Sequence, residues 1–113
     1  MPLKKCPSSP NCVCSLDSSE QHGIAPFGSG PEFQKVWTRL QKVMKSWPRT
    51  TLLKQTGTYL HYEVRSPLLG FKDDVEFELD AKAKAIQVRS ASRIGYSDLG
   101  ANRKRIEAIR KSL

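Results

Sequence analysis

Residues 89–110, RSASRIGYSDLGANRKRIEAIR, gather five arginines, three serines and the amide Asn102 into one short stretch. Guanidinium forks match carboxylate and phosphate oxygens. Arg89, Arg93 and Arg103, with Tyr96, Asp98 and Asn102 between them, are therefore candidate recognition residues for an anionic group or a protein partner. The same residues also suit a structural role, in which Arg93 and Arg103 pair with Asp73, Asp74 or Asp98 and pin the end of the chain to the rest.

A second set of polar residues lies upstream, in YLHYEVR and DDVEFEL. His61, Glu63, Arg65, Asp73, Asp74 and Glu76 offer carboxylates, one imidazole and a cation. Such a set can move protons, with arginines stabilising developing charge, as a small hydrolase or transferase requires. It can equally form cross-strand ion pairs on a solvent face. Nucleophilic catalysis is disfavoured, because Ser90 and Ser92 share a strand face with Ile86 and Val88 whereas His61 points to the opposite side. GYSDLG lacks the glycines, lysine and hydroxyl of a phosphate loop.

Cys6 and Cys12 bracket CPSSPNC, and Cys14 follows. In an oxidising compartment Cys6 and Cys12 close a small loop; in a reducing one they stay thiols. With His22 the spacing is C-x5-C-x-C-x7-H, which matches no common zinc pattern, so no metal and no cofactor is expected.

These residues must be positioned by regular elements. PEFQKVWTRLQKVMKSWP places Phe33, Val36, Trp37, Leu40, Val43, Met44 and Trp47 at three- and four-residue steps, which predicts a helix ended by Pro48. Lys35, Arg39, Lys42 and Lys45 fall on its other, solvated side. From Thr50 the period becomes two. Strands are predicted at about 50–56, 58–66, 72–80 and 85–93, joined by short turns into an antiparallel meander. Leu60, Tyr62, Val64, Val75, Phe77, Leu79, Ile86 and Val88 form its buried face. Tyr59, His61, Glu63, Arg65, Asp74, Glu76, Glu78, Gln87, Arg89 and Arg93 form the polar one.

A last helix is predicted from Leu99 to Lys111, capped by Ser97 or Asp98. Leu99, Asn102, Ile106, Ile109 and Leu113 share its apolar side. An amide there is costly unless its hydrogen bonds are met, so Asn102 is expected to reach the backbone of the preceding loop or of the N-terminal arm. That arm, residues 1–31, is rich in Ser, Pro, Gly and Cys, without periodicity. It is read as irregular, with Val13, Ile24 and Phe27 as anchors.

The chain of 113 residues, with a formal net charge of +8, suits one α+β domain. The expectation is a four-stranded antiparallel meander sheet with two helices on one face, in the order α-β-β-β-β-α over residues 32–113. The two ends are basic and residues 59–88 acidic. This field favours anionic partners, nucleic acid or an anionic membrane surface among them, although no finger, RNP-like or GxxG motif supports nucleic acid. No apolar run approaches a membrane span. Met1 to Lys5 is followed by no apolar segment and is no signal peptide. The protein is expected in the cytoplasm if Met1 is the native start, and exported or membrane-proximal if a leader has been removed.

CPSSPNCV, YLHYEVRSPLLGFKDDVEFELD and IQVRSASRIGYSDLGANRKRIEAIR, in that order, resemble the domain of unknown function family number 1499 over nearly the whole chain. The joint occurrence of DDVEF with RSASRxGYSDxGxNRxR is its specific mark. The pattern falls on Cys6, Pro7, Ser9, Pro10, Asn11 and Cys12, and on Asp73, Asp74, Glu76 and Phe77. It then falls on Arg89, Ser90, Ser92, Arg93, Gly95, Tyr96, Ser97, Asp98, Gly100, Asn102 and Arg103. Cys14 departs from it, where the family typically has serine. Exported relatives favour a Cys6–Cys12 disulfide. The family carries no established activity, so the resemblance implies a fold rather than a reaction. The first functional reading is a small non-catalytic binding or accessory module; the alternatives are a hydrolase or transferase, and electrostatic binding to nucleic acid or membrane.

Overall fold

The computed structural model describes residues 3–95 and 98–113. Its elements follow the order β1 (Cys12–Cys14), α1 (Phe33–Lys45), β2 (Thr50–Gln55), β3 (Tyr59–Arg65), β4 (Lys72–Asp80), β5 (Ala85–Ser92) and α2 (Ala101–Lys111). The fold is α+β, with two helices and an antiparallel sheet. The sheet has five strands rather than four, in the order β1-β5-β4-β3-β2.

The additional strand comes from the arm. Cys12 pairs with Ala91, Val13 with Ser90 and Cys14 with Arg89. All three β1 residues are buried, because Val13 enters the core while its neighbours lie under the start of the arm. Phe27 makes a further antiparallel bridge to Ile86. The arm is thus a sheet edge with a docked continuation, and Val13 and Phe27 are core residues with Ile24 packed against them.

Strands β2 to β5 pair in sequence order. Leu60, Tyr62, Val64, Val75, Phe77, Ile86 and Val88 gather in one apolar cluster, as period-two alternation requires. Trp37, Leu40 and Met44 of α1 and Ile106 and Ile109 of α2 join the same cluster. Helix α1 keeps Lys35, Arg39, Lys42 and Lys45 exposed. Close approach of the arm to α1 demands glycine at Gly28: its φ is +58°, and a Cβ there would lie 2.8 Å from Val36 Cβ.

Helix α2 begins at Ala101, later than predicted, and Leu99 stands outside it, exposed and at φ +53°. Leu99 therefore does not share the apolar stripe. The N-cap position is Gly100 rather than Asp98, but the Asp98 carboxylate accepts the amides of Gly100 (2.8 Å) and Asn102 (3.0 Å) from two residues before that position. Ser97, the alternative cap, lies outside the described residues. No helix among the described residues is long and apolar enough to cross a membrane.

Cys6 and Cys12 are joined in a disulfide, and Cys14 is free and buried. The bridge closes the loop that feeds β1. Reducing it should lower stability by about 2 kcal/mol through the freed unfolded chain, read as a fall in the thermal midpoint with dithiothreitol that a Cys6→Ser/Cys12→Ser variant reproduces without reductant.

Candidate functional site

Asn102 is fully buried, at the point where the arm, β5 and α2 converge. Its Nδ2 lies 3.1 Å from the Asn11 carbonyl oxygen, 3.0 Å from Ser92 Oγ and 2.7 Å from Asp98 Oδ2. Its Oδ1 accepts from Ser90 Oγ (2.6 Å) and from Arg105 Nη1 (2.8 Å). The amide reaches the arm backbone, as its burial requires. The Asn11 carbonyl also accepts the Ser92 amide, and the Asn11 side chain donates to the Gly95 carbonyl at 2.7 Å. The disulfide loop therefore presents one asparagine that holds β5 and meets the other.

The arginines of this stretch all have partners inside the protein. Arg89 pairs with Glu76 at 3.3 Å. Arg93 pairs with Asp74 at 2.9 Å and Glu63 at 3.0 Å. Arg103 donates to the Gln21 carbonyl at 3.2 Å, and Arg110 to the carbonyls of Pro26 (2.9 Å) and Ala25 (2.7 Å) while its guanidinium lies over the Phe27 ring. An irregular arm leaves carbonyls without ladder partners, and the arginines of α2 supply donors to them. Arg105, not singled out in the sequence, ties α2 to β4 through Asp73 at 2.6 Å. Its place one turn beyond Asn102 was the available signal. Tyr96 lies outside the described residues.

The polar sheet face is a connected set of diagonal pairs. Tyr59 donates to Glu76, and His61 Nε2 lies 2.8 Å from Asp74. Arg65 and Lys72 approach Glu63 at 3.4 and 4.0 Å. Hydrogen bonding from Arg93 holds the Asp74 carboxyl below the usual range; burial opposes this and His61 adds to it. At Asp98 and Glu63 burial also opposes, and the Asn102 and Gly100 amides at the first, and Lys72, Arg65 and Arg93 at the second, outweigh it, so both are lowered. Burial and Glu76 push the Tyr59 phenol upward. Burial keeps the Cys14 thiol protonated, so it is a poor nucleophile. Within the buried ladder, Glu78 Oε1 and Arg89 Nε have no partner among the described residues.

Two of the described cavities lie at the end of the sheet where the β3–β4 loop meets α2. One of about 320 Å³ is lined by Phe71, Lys72, Asp73, Ser92, Ile94 and Asp98, among others. Its neighbour, about 350 Å³, has Trp47, Pro48, Val64 and Pro67 as apolar walls and Arg49, Arg65, Lys104 and Arg105 as cations. Asp73 borders both. Of the expected site residues, Asp73, Asp98 and Arg65 reach these cavities; His61, Glu63, Asp74 and Glu76 belong to the ion-paired face. Arg49 and Lys104 drew no attention in the sequence, since neither falls in a pattern and only the turn at Pro48 brings Arg49 to α2.

A family described as "Protein of unknown function (DUF1499)" matches residues 2–113. The chain belongs to this family. No curated protein and no solved structure matches it. Asn11, in the CPSSPNC segment of this chain, and Ser90 and Ser92, in RSASR, meet at Asn102.

Two outcomes test the junction. Asn102→Ala takes the buried acceptor from Ser90 and Arg105 and one donor from the Asn11 carbonyl, and leaves a cavity, and should cost about 3 kcal/mol in denaturant unfolding. Asp74 and Asp98, with ordinary values of 3.8, are lowered in the folded protein. Between the folded and unfolded values the unfolded chain holds more protons, so their stabilisation is complete above the ordinary value and lost as pH falls through the folded one. Glu78, raised chiefly by burial, works in the opposite sense. Stability measured from pH 6 to 2 should fall, and Asp74→Asn should flatten the fall.

Proposed function

We propose that the chain is a single-domain, non-catalytic binding module for a small organic anion, held in the groove between Trp47–Arg49, the β3–β4 loop and the start of α2. In this reading both helices cover the Leu60–Phe77–Val88 face and the groove opens at the sheet end. The observation that carries it is the lining: four cations stand around an apolar wall, and the carboxylate among them, Asp73, is already neutralised by Arg105.

Lys104 makes no ion pair among the described residues and is exposed. Arg49 commits only its Nε, to the Arg65 carbonyl at 3.1 Å. Both keep donors for a ligand. An apolar body on Trp47 and Val64 with a carboxylate or phosphate toward these cations satisfies both halves of the groove. Asp73, Asp98 and Asn102 act here as the scaffold that sets the rim, and Arg89, Arg93 and Arg103 as its internal braces. The hydrolase or transferase reading gains no support from a polar face on which Glu63, Asp74 and Glu76 are each paired with a cation.

Calorimetric titration with octanoate, octanol and inorganic phosphate tests the reading. Octanoate should bind more tightly than either half alone. Arg49→Glu with Lys104→Glu should weaken octanoate about tenfold or more, the equivalent of about 1.4 kcal/mol, with thermal unfolding unchanged. Absent binding, or binding indifferent to the two charges, overturns it.

A further inference from the structure

The loop between β3 and β4 ends in Pro67-Leu68-Leu69-Gly70. Its base is closed by Ser66: the Ser66 amide donates to the Phe71 carbonyl and the Phe71 amide to Ser66 Oγ, both at 2.9 Å. Gly70, at φ +68°, makes the turn. On this fixed base Leu68 is 96% exposed and Leu69 74%, with Phe71 at 49% and, from the segment after β5, Ile94 at 63%. Phe71 and Ile94 line one shared hollow with Lys72 and Arg93. Leu68 and Leu69 precede this hollow on the same short loop, so four exposed apolar side chains are carried by the loop and the strand end beside it, a density that folded monomers rarely leave without a use.

The charges around this cluster are of both signs, with the cations the more exposed: Asp98 lines a cavity with Phe71 and Ile94, and Asp74, paired with Arg93, keeps 25% of its side chain exposed. Lys72, Arg65 and Arg93 keep 45, 57 and 35% of their side chains exposed, whereas Glu63 and Asp73 keep 11% each. Arg49 is exposed beside them. The acids lie deeper and the cations stand outward.

We propose that this tip docks on an anionic lipid surface, Leu68 and Leu69 entering the acyl boundary and Lys72, Arg65 and Arg49 resting on the headgroups. Two observations favour lipid over a protein partner. A side chain that its own protein leaves almost wholly uncovered sits on a convex point, which a fluid bilayer accepts without a matching pocket. A ring of outward cations around an apolar point complements a negatively charged interface, where apolar insertion and electrostatic attraction act together. Leu68 and Leu69 take no part in lining the groove, whereas Arg49 and Arg65 border both, so the leucine variants test the docking apart from the groove ligand.

Co-sedimentation of the full chain with phosphatidylcholine vesicles, with and without phosphatidylserine, tests the docking. Binding is expected to the anionic vesicles, weakening as salt rises. Leu68→Ser with Leu69→Ser should reduce it roughly tenfold or more, while Leu53→Ser, at an exposed leucine of β2, leaves it unchanged. Leu68→Trp provides a second readout: its emission should be quenched by brominated anionic lipid. Failure to bind anionic vesicles, binding unaffected by the double serine variant, or an unquenched tryptophan overturns the proposal. So does a concentration-dependent dimer that the double variant abolishes, which would assign the tip to a second copy of the chain.

Discussion

The carboxamide of Asn102 is the contact on which the described junction depends. A buried amide carries two donors and an acceptor, and leaving any of them unmet costs about as much as a core methylene or more. Here the acceptor is met by β5 and by Arg105, and the donor group faces the arm, β5 and Asp98 at once. The end of β5, the start of α2 and an arm residue 91 positions before Asn102 must be in register before the group is satisfied. An apolar residue of the same size would fill the space without specifying which segments meet there.

From this point the braces extend outward in two directions. Arg105 carries the tie to Asp73 on β4, and Arg103 and Arg110 carry it along the arm to the Gln21, Ala25 and Pro26 carbonyls. Cations at the end of the chain thus replace the ladder bonds that the arm, lacking β periodicity, does not make. Arg89 and Arg93 do the corresponding work across the polar face, against Glu76, Asp74 and Glu63. Much of the basic character of residues 89–113 is consumed inside the protein. The cations left facing outward at the sheet end come instead from the chain before it: Arg49, Arg65 and Lys72.

The long periodic segments were legible because many residues vote on each. Seven apolar positions define α1, and the strands of the meander are read within a residue or two of their bounds. β1 was not legible: three residues cannot show alternation, both of its faces are covered, and its partner is at the other end of the chain. Leu99 looked like part of the α2 stripe by spacing alone, but Gly100, in the left-handed region at φ +80°, starts the helix after it. Asn102 could be recognised as an amide in need of partners, whereas Arg105 could not be distinguished from surface cations until Asp73 was beside it. The groove and the leucine tip were hidden for a different reason. PLLG reads as a turn, and nothing local records which way a turn points or what lies next to it in space.

The pairing of Cys12 with Ala91 also orders events in time. During synthesis β1 emerges well before its partner strand, so this edge of the sheet must wait for the helix and the three strands between them. Closing so long a loop is entropically slow. The cysteine loop, by contrast, spans only six positions and can close while the remainder is still being made. Asn11 would then arrive already held in a short ring, so that the last strand and helix dock against a preformed edge rather than a loose tail.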